Sequence, residues 1–387
     1  MKKALIVTSV ASMVDQFLMP NVKLLQEMDY DVQVACNFIK GNTCSEERIV
    51  LLKDKLSEWG VHYVQIGFDR NVMNFSENAL AYKQVKQLLD GDTYDIIHCH
   101  SPIGGLITRL AARKARKKGA RVFYTAHGFH FYQGAPKKNW LLYYPVEKVC
   151  SYFTDVLITI NQEDYALAQK KMKAKKVEYV PGIGIGLKRF GSVVVDKVNK
   201  RKELGVPNDA VMLFSIGELN ENKNHETVIR AIAGIENVYY IIAGKGELQE
   251  HLQGVIDELG ISDRVKLLGF RNDVGELCEV ADIYVMPSFR EGLSVALMEA
   301  MASGLPCVVS RIRGNTDLID NNGGALFDPH NVDDCRAAIE RIMSSEYKMM
   351  GFYNLEKIQE FSLEAVNEKL SQIVLREICA PKNCGCD

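Results

Sequence analysis

Short β-type segments alternate with helical segments along nearly the whole chain, and this alternation constrains the fold more than any other feature. The first half contains six predicted strands: Ala4–Val7, Val32–Cys36, Val61–Ile66, Ile96–Cys99, Val122–Ala126 and Val156–Ile160. A second series contains five: Val211–Ile216, Val238–Ala243, Val265–Leu268, Ile283–Met286 and Cys307–Ser310. Helical patterns between successive strands, such as Leu106–Lys117, indicate parallel sheets with helices on both faces. Two such series favour two domains over one barrel.

We therefore predict an α/β protein with two Rossmann-like parallel-sheet domains. A glycine-rich stretch, Pro181–Gly186, and the charged, valine-rich stretch up to Pro207 mark the boundary between them. The predicted domains are residues 1–190 and residues 191–360. Residues 361–387 form a C-terminal helix, for which one option is packing back on the first domain, and a tail.

Composition indicates an ordinary globular protein. Of the 387 residues, 47% are hydrophobic and 25% charged, and no apolar run reaches the roughly 18–20 residues that span a bilayer. The N-terminus lacks an apolar core with a cleavage site, so we expect a cytoplasmic protein whose first strand starts there. The tail cysteines Cys379, Cys384 and Cys386 are interpreted as a frayed end, with metal or lipid attachment as the alternatives.

The net charge differs between the two halves. Residues 1–190 carry 27 Lys and Arg against 18 Asp and Glu, whereas the rest carries 20 against 31. A solvated helix face is the default interpretation, but an anionic membrane surface or a phosphate-bearing acceptor also fits. Aromatic residues near Lys137 and Lys138 could rest on the inner face of the membrane or belong to a buried helix: Trp140, Tyr143, Tyr144, Tyr152 and Phe153. No nucleic-acid module accompanies these charges, and nucleic acid is not expected as a partner.

Two glutamates eight positions apart, Glu291 and Glu299, indicate a ligand site. Glu291 follows a predicted buried strand, in a loop where open α/β sheets bind ligands. Ser294 is a plausible N-cap for a helix that ends at Gly304 and carries Glu299. Helical rise separates the two carboxylates by on the order of 10 Å, which suits an elongated ligand contacted at both ends.

Further strand-end loops in the second half favour an anionic ligand. Lys223 lies in a loop that starts at Gly217 and leads into a helix N-terminus, where backbone N–H groups favour an anion. Gly244 and Lys245 repeat the strand–turn–helix arrangement, and Phe270 lies in a third such loop beside Arg271. Neither a dinucleotide fingerprint nor a P-loop is present.

One histidine in the first half is placed to meet a ligand. His127 follows the fifth strand and precedes Gly128. It could donate a hydrogen bond to a phosphate or a sugar hydroxyl, act in proton transfer, or merely pack. We expect no metal site here, because no carboxylate or cysteine set with ligand spacing surrounds His127, His98 or His100.

Together these motifs resemble the retaining nucleotide-sugar glycosyltransferases of family 4. The matching elements are Gly217 with Lys223-Asn224, Ala243–Gly246, Leu268–Phe270, Glu291-Gly292 with Glu299, Ala126–Phe131 and Val180–Gly184. The last two resemble the bacterial capsule and exopolysaccharide branch. The resemblance implies the GT-B fold, in which two Rossmann-like domains face an interdomain cleft. It also implies that residues 1–190 are the acceptor side and that residues 191–360 bind the nucleotide-sugar donor.

The resemblance also implies roles for individual residues. Glu299 would bind the ribose of the donor, and Lys223 would neutralise its diphosphate. Glu291 and the backbone N–H groups of Gly292, Leu293 and Ser294 would hold the donor sugar and phosphate, and His127 would face that sugar across the cleft. The expected catalytic set is His127, Glu291 and Lys223. The remaining predicted donor-binding residues are Gly217, Gly244, Lys245, Phe270, Arg271 and Arg290.

Two positions depart from the family pattern. Glu218 stands where the family often has arginine, and Lys245 or Arg290 are the alternative cations. Ser9–Ser12 replaces the glycine pair that the family has after its first strand.

The expected activity is transfer of a sugar from a nucleoside diphosphate, such as UDP, with retention of the anomeric configuration. The expected acceptor is polyprenyl-diphosphate-linked or an oligosaccharide, in capsule or exopolysaccharide synthesis. We expect the reaction to require neither a metal nor a cofactor. The alternatives are a sugar-nucleotide 2-epimerase and a non-catalytic membrane-associated scaffold.

Overall fold

Two parallel sheets, one in each half of the chain, organise the protein. We describe a computed structural model, which defines residues 1–190, 195–344 and 347–379. The second unit is Gly184–Leu363, and the first unit holds the chain before and after it. The predicted α/β class with two parallel-sheet units is confirmed. The predicted division at residues 190 and 191 lies close to the structural one. Cys384 and Cys386 lie outside the described residues, as does the Cys379 side chain.

The first sheet has seven parallel strands in the order β3-β2-β1-β4-β5-β6-β7. They are β1 (Lys2–Val10), β2 (Tyr30–Asn37), β3 (His62–Gln65), β4 (Ile96–His100), β5 (Arg121–Ala126), β6 (Val156–Thr159) and β7 (Lys176–Tyr179). The helices are α1 (Ala11–Met13), α2 (Met19–Glu27), α3 (Glu46–Glu58), α4 (Phe75–Gly91), α5 (Pro102–Ala111), α6 (Arg113–Lys117), α7 (Lys137–Ser151) and α8 (Gln162–Lys171). A π-helical turn, Val14–Leu18, precedes α2. Leu5 and Ile6 pack on opposite faces of the sheet, because both faces are covered.

The second sheet has six parallel strands in the order β10-β9-β8-β11-β12-β13. They are β8 (Val211–Ile216), β9 (Val238–Ala243), β10 (Val265–Leu267), β11 (Ile283–Met286), β12 (Cys307–Ser310) and β13 (Gly324–Phe327). The helices are α9 (Lys197–Glu203), α10 (His225–Ile232), α11 (Gln249–Glu258), α12 (Val274–Val280), α13 (Val295–Ala302), α14 (Asn315–Leu318), α15 (Val332–Met343) and α16 (Tyr347–Lys357). The described residues also contain three 3₁₀ turns: Leu187–Arg189, Glu221–Lys223 and Ile358–Phe361.

The last helix, α17 (Leu363–Cys379), packs on the first unit. Its Val366, Leu370 and Ile373 share a core with Leu18 and Val180. Two ion pairs tie it to β7: Lys176 with Glu377 and Glu178 with Arg376. The chain thus returns to its first unit after completing the second. None of the described helices combines the length and apolarity needed to cross a membrane.

A buried ion pair joins α5 to α7. The Arg109 side chain is fully buried, and its Nη2 donates to Glu147 Oε2 at 2.8 Å. The Arg109 guanidinium also lies 3.8 Å from the centre of the Tyr124 ring, and its Nε donates to the Gly105 carbonyl. Burial opposes the charged form, but the Glu147 carboxylate raises the pKa of Arg109 above its ordinary value. The pair therefore holds α7 against the sheet at a position where either charge alone would be costly.

We expect Glu147→Ala to lower the free energy of unfolding by about 3–5 kcal/mol, because it leaves the Arg109 guanidinium buried without a counter-ion. Urea denaturation followed by circular dichroism measures the change. Glu58→Ala, at an exposed site at the end of α3, is the matched control and should stay within about 0.5 kcal/mol of the parent. Equal effects of the two substitutions would contradict this assignment.

Candidate active site

The strand order of the second sheet brings two loops together at its carboxyl edge. Strands β8 and β11 are neighbours, with Leu213 paired to Ile283, and β9 lies on the other side of β8. The chain therefore leaves β8 and β11 side by side, at the position where the strand order reverses. Open α/β sheets bind ligands at this switch point.

Lys223 and Glu291, from these two loops, form an ion pair. Lys223 Nζ lies 2.8 Å from Glu291 Oε1, and both side chains are largely shielded from solvent. Lys223 ends a 3₁₀ turn that Asn220 caps by accepting from the Lys223 N–H. The Lys223 side chain then passes over Gly217, where an added Cβ would lie 3.3 Å from it. Two of the predicted catalytic residues are thus in direct contact.

Asparagines, which the sequence analysis did not assign to the site, fasten the two loops. Asn224 adopts a left-handed conformation with φ 52° and donates its side-chain N–H to the Pro287 and Pro329 carbonyls. Asn222 donates to the Arg290 carbonyl, and its own carbonyl accepts from Phe289 N–H at 2.8 Å. Asparagine is enriched among residues with positive φ, so its place just before a helix is the signal that could have revealed Asn224.

Helix α13 starts at the site. Ser294 is its N-cap and accepts from Leu297 N–H, and Gly304 follows its end with φ 73°, as predicted. The loop before α13 is held by Arg313, a buried residue whose Nε donates to the Glu291 carbonyl at 3.2 Å. Sequence reasoning missed Arg313, although it follows a strand of the same edge. Gly314 lies close to the backbone of the same loop, since a Cβ added to Gly314 would lie 2.4 Å from the Gly292 carbonyl oxygen.

The loop glycines allow two backbones to approach closely beside Lys223. A Cβ on Gly244 would lie 1.7 Å from the Gly217 carbonyl oxygen. Gly244 N–H also donates to the Gly269 carbonyl at 2.8 Å. No side chain larger than hydrogen fits at Gly244 without moving the loop that carries Lys223. The structure therefore brings together Gly217, Lys223, Gly244, Glu291 and Gly292.

The other predicted donor-binding residues lie in more varied surroundings. Lys245 and Arg290 are exposed, and the Phe270 ring is 69% exposed. Arg271 instead belongs to an ion-pair cluster, where it contacts Asp273 and Glu203. That cluster lowers the pKa of Asp273 below its ordinary range, chiefly through the hydrogen bond from Arg271.

Two glutamates differ in their surroundings. Glu299 lies partly buried within α13, where its carboxylate adds to the burial that raises the pKa of the Cys278 thiol to about 12. Glu218 is exposed and accepts from Asn220 Nδ2. Its carboxylate therefore lies on the loop that starts at Gly217.

In the first unit, His127 is one of three histidines in contact at the ends of β4 and β5. His127 Nε2 lies 3.1 Å from His100 Nδ1, and the His98 and His100 rings are 4.2 Å apart. Burial lowers the pKa of His127 to about 4 and that of His98 to about 3. All three rings are therefore neutral at pH 7. No cluster of three or more metal-ligating residues occurs within the described ranges.

Each unit is a doubly wound parallel sheet, and the second has a cation and a carboxylate at its switch point, where such sheets bind ligands. The structure resembles sucrose-phosphate synthase from Thermosynechococcus elongatus, with TM-score 0.77 and 18% identity over 98% of this chain and 100% of that one. It also resembles Anabaena HepE in complex with UDP and glucose, with TM-score 0.77 and 18% identity over 97% and 100%. These likenesses establish the fold as GT-B.

Sequence comparison gives the family. A model described as "Glycosyl transferase 4-like" matches residues 7–161, and "Glycosyl transferases group 1" matches residues 196–357. The chain is 36% identical over 354 residues to the putative glycosyltransferase EpsD of Bacillus subtilis, covering 90% of this chain and 88% of that protein. It is 32% identical over 266 residues to the Escherichia coli UDP-Gal:alpha-D-GlcNAc-diphosphoundecaprenol alpha-1,3-galactosyltransferase, covering 66% and 68%. The chain therefore belongs to the family-4 glycosyltransferases of exopolysaccharide type, and it is an enzyme.

We expect Gly244→Ala to weaken donor binding at least tenfold, because the added methyl group displaces the backbone at Gly217 and with it Lys223. Isothermal titration with UDP measures the affinity. Gly254→Ala is the matched control: it lies in α11 with no atom within 4 Å of its added Cβ, and should leave the affinity unchanged. Unchanged UDP affinity in Gly244→Ala would remove this loop from the site.

Proposed function

We propose that the enzyme transfers a sugar from a UDP-linked donor to a lipid-linked polysaccharide precursor and retains the anomeric configuration. The observation that carries this proposal is the contact of Lys223 with Glu291 at the switch point of the second sheet. A nucleoside diphosphate offers the negative charge that Lys223 would meet. The similarity to the Anabaena protein, which binds UDP, and to the Escherichia coli enzyme, which is named for a UDP-Gal donor and a diphosphoundecaprenol acceptor, supports these donor and acceptor classes.

The second unit can stabilise the departing diphosphate. Lys223 supplies a cation, and the N–H groups of Gly292, Leu293 and Ser294 precede a helix whose dipole favours an anion. In this scheme Glu291 exchanges its contact with Lys223 for hydroxyl groups of the donor sugar, and Glu299 binds the ribose. Charge that develops as the bond to diphosphate breaks then meets preorganised groups without a divalent metal.

We infer front-face attack for the chemical step. The acceptor hydroxyl oxygen bonds to the anomeric carbon while the bond from that carbon to the diphosphate oxygen breaks. The hydroxyl proton passes to the diphosphate oxygen that leaves, so no glycosyl ester of Glu291 forms. His127 of the first unit supplies a hydrogen bond to the donor sugar. Proton NMR of the product, which reports the anomeric coupling, tests retention.

We expect Lys223→Ala to abolish the rise in melting temperature that a UDP-sugar produces, because that rise requires binding to the native state. A thermal-shift panel of UDP-glucose, UDP-galactose, UDP-N-acetylglucosamine and GDP-mannose identifies the donor in the parent enzyme first. Lys202→Ala, an exposed lysine at the end of α9, should keep the full shift. A full shift in Lys223→Ala would contradict the proposed diphosphate contact.

A lipid-linked acceptor requires the enzyme to reach a membrane, and α7 has a surface suited to it. Trp140, Tyr143 and Tyr144 pack against the core of the first unit, which favours the buried interpretation of these rings. The opposite face is apolar and exposed over the length of the helix; it consists of Leu141, Leu142, Pro145, Val146 and Val149. Leu141 is 76% exposed and Leu142 62%. An amphipathic helix with its apolar face outward suits an interface.

Cationic side chains near α7 support the choice of an anionic bilayer as the proposed partner. Lys137 and Lys138 are exposed at its start, and Tyr152 and Phe153, just past its end, line a groove with six cationic side chains. These are Lys86, Arg113, Lys114, Arg116, Lys117 and Lys175. Asp90 pairs with two of them and Asp155 with two others, so the six cations exceed these two carboxylates by four charges. A lysine or arginine near an anionic leaflet contributes about 1 kcal/mol of attraction. We therefore propose that the exposed face of α7 rests on the inner membrane surface.

We expect the double substitution Leu142→Glu with Val149→Glu to reduce binding to phosphatidylglycerol-containing vesicles at least tenfold, because it places charge on the apolar face. Cosedimentation with vesicles measures the binding, and pure phosphatidylcholine vesicles should bind weakly. The control is Val50→Glu with Leu51→Glu, two residues of α3 that are 55% and 67% exposed. Equal loss in both variants would show that α7 is not the contact.

A further inference from the structure

His127 is held by a second histidine through a single hydrogen bond. His98 and His100 lie two residues apart on β4, so their side chains share a face of the sheet, and His100 pairs with Thr125 of β5. His98 Nε2 is bonded to Thr125 Oγ1 at 2.8 Å, whereas His100 Nδ1 is bonded to His127 Nε2 at 3.1 Å. Of these two strand histidines, only His100 contacts the ring that is proposed to meet the donor sugar.

The surroundings of this pair carry no charge. His100 and His127 line a narrow cavity in the first unit, and the other described lining residues are neutral; they include Phe17, Asn21, Thr125, Gly182, Val366 and Leu370. Burial lowers the pKa of His100 well below its ordinary value, as it does that of His127. Both rings are thus neutral at pH 7, and the bond between them contains one ring N–H.

The second nitrogen of His100 decides which ring donates. His100 Nε2 is buried and has no hydrogen-bond partner among the described residues. If His127 donated, His100 would carry its proton on Nε2, which would bury an N–H without an acceptor. Orphaned buried N–H groups are rarer in proteins than orphaned acceptors. The proton of His100 therefore belongs on Nδ1, where it is shared with His127 Nε2.

We propose that His100 is a positioning residue that fixes His127 as the Nδ1–H tautomer. Because His127 Nε2 accepts from His100, the proton of His127 lies on Nδ1, and the ring can only donate there. His127 then presents a hydrogen-bond donor to an oxygen atom of the donor and does not act as a general base. This inference rests on the proposed role of His127 in sugar transfer and makes that role more specific.

Backbone contacts near His127 do not determine which of its ring nitrogens carries the proton. Gly128 follows His127 with φ 135°, and Phe129 N–H donates to Asp164 Oδ2, so the chain after His127 is fixed. These contacts place the Cα atom of His127 but do not orient its ring. Among the described residues, the hydrogen bond from His100 to Nε2 is the contact that makes the two ring nitrogens of His127 different.

Nitrogen-15 NMR of the full-length enzyme, with labelled histidine, tests the tautomer directly. The resonances of His127 are assigned by their loss in His127→Gln. We expect a protonated Nδ1 in the parent enzyme and in His100→Asn, whose amide can replace the Nδ1–H donor. In His100→Leu we expect both tautomers of His127. His98→Leu is the matched control, equally buried on the same strand, and should keep the parent tautomer.

Kinetics separate positioning from fold stability. We expect kcat/KM to fall about tenfold in His100→Leu and to recover in His100→Asn. If His100 contributed only to the stability of the fold, the tautomer of His127 would be the same in these two variants. A proton on Nε2 of His127 in the parent enzyme would overturn the proposal, even if His100→Leu did not fold. If the tautomer is as expected but His127→Gln retains full activity, the role of His127 in transfer fails and the positioning by His100 stands.

Discussion

The adjacency of β8 and β11 in the second sheet is the constraint on which the site depends. Both strands end at the same edge, so residues 68 positions apart in the chain come within 2.8 Å, as Lys223 and Glu291 do. Strand order alone would not hold this contact, because loops at a sheet edge are free to move. The side-chain amides of Asn222 and Asn224 donate to the Arg290 and Pro287 carbonyls and so fasten the loop after β8 to the loop after β11. The close approach of Gly244 to Gly217 adds the loop after β9 to the same assembly.

The first sheet uses the same topology with different chemistry. Its switch point lies between β1 and β4, where Ser9 Oγ accepts from Gly104 N–H and contacts Ser101 Oγ at 2.6 Å. Serine side chains thus occupy the place where the family has a glycine pair. The groups beside them are neutral histidines instead of a cation and a carboxylate. This division fits the proposed reaction, in which Lys223 meets the diphosphate and the neutral His127 donates a hydrogen bond to the sugar.

The sequence pattern predicted the features that depend on local order. Alternation of strands and helices gave both sheets, and Ser294 and Gly304 marked the ends of α13. Two edge strands were missed, because β7 is charged and only partly buried, and β13 is four residues long beginning at a glycine. The helix expected over Leu106–Lys117 is divided at Ala112 between α5 and α6.

Contacts between distant segments could not be predicted in the same way. The bond between His100 and His127 follows from the register of β4 and β5, which no local pattern contains. The ion pair of Arg271 with Glu203 of α9 likewise joins separate elements. In α7, the aromatic residues that the sequence suggested for membrane contact lie on the face toward the core. The exposed apolar residues lie on the opposite face. Burial of Trp140 and Tyr144 accounts for the rings; it leaves Leu141 and Leu142 without a partner inside the first unit.

The ion pair of Lys223 also bears on how the departure at Glu218 is tolerated. Without a ligand, Lys223 is partly buried and Glu291 supplies its counter-charge. A bound diphosphate would replace the Glu291 carboxylate beside Lys223. The charge around the diphosphate then depends on which other cations of the loops are unpaired. Glu218 is engaged by the neutral Asn220 and lies in solvent, where its field is screened. The exposed Lys245 and Arg290 have no carboxylate within ion-pairing distance among the described residues. Lys223, Lys245 and Arg290 are therefore the cations that these loops contain beside Glu218, which stands in place of the expected arginine.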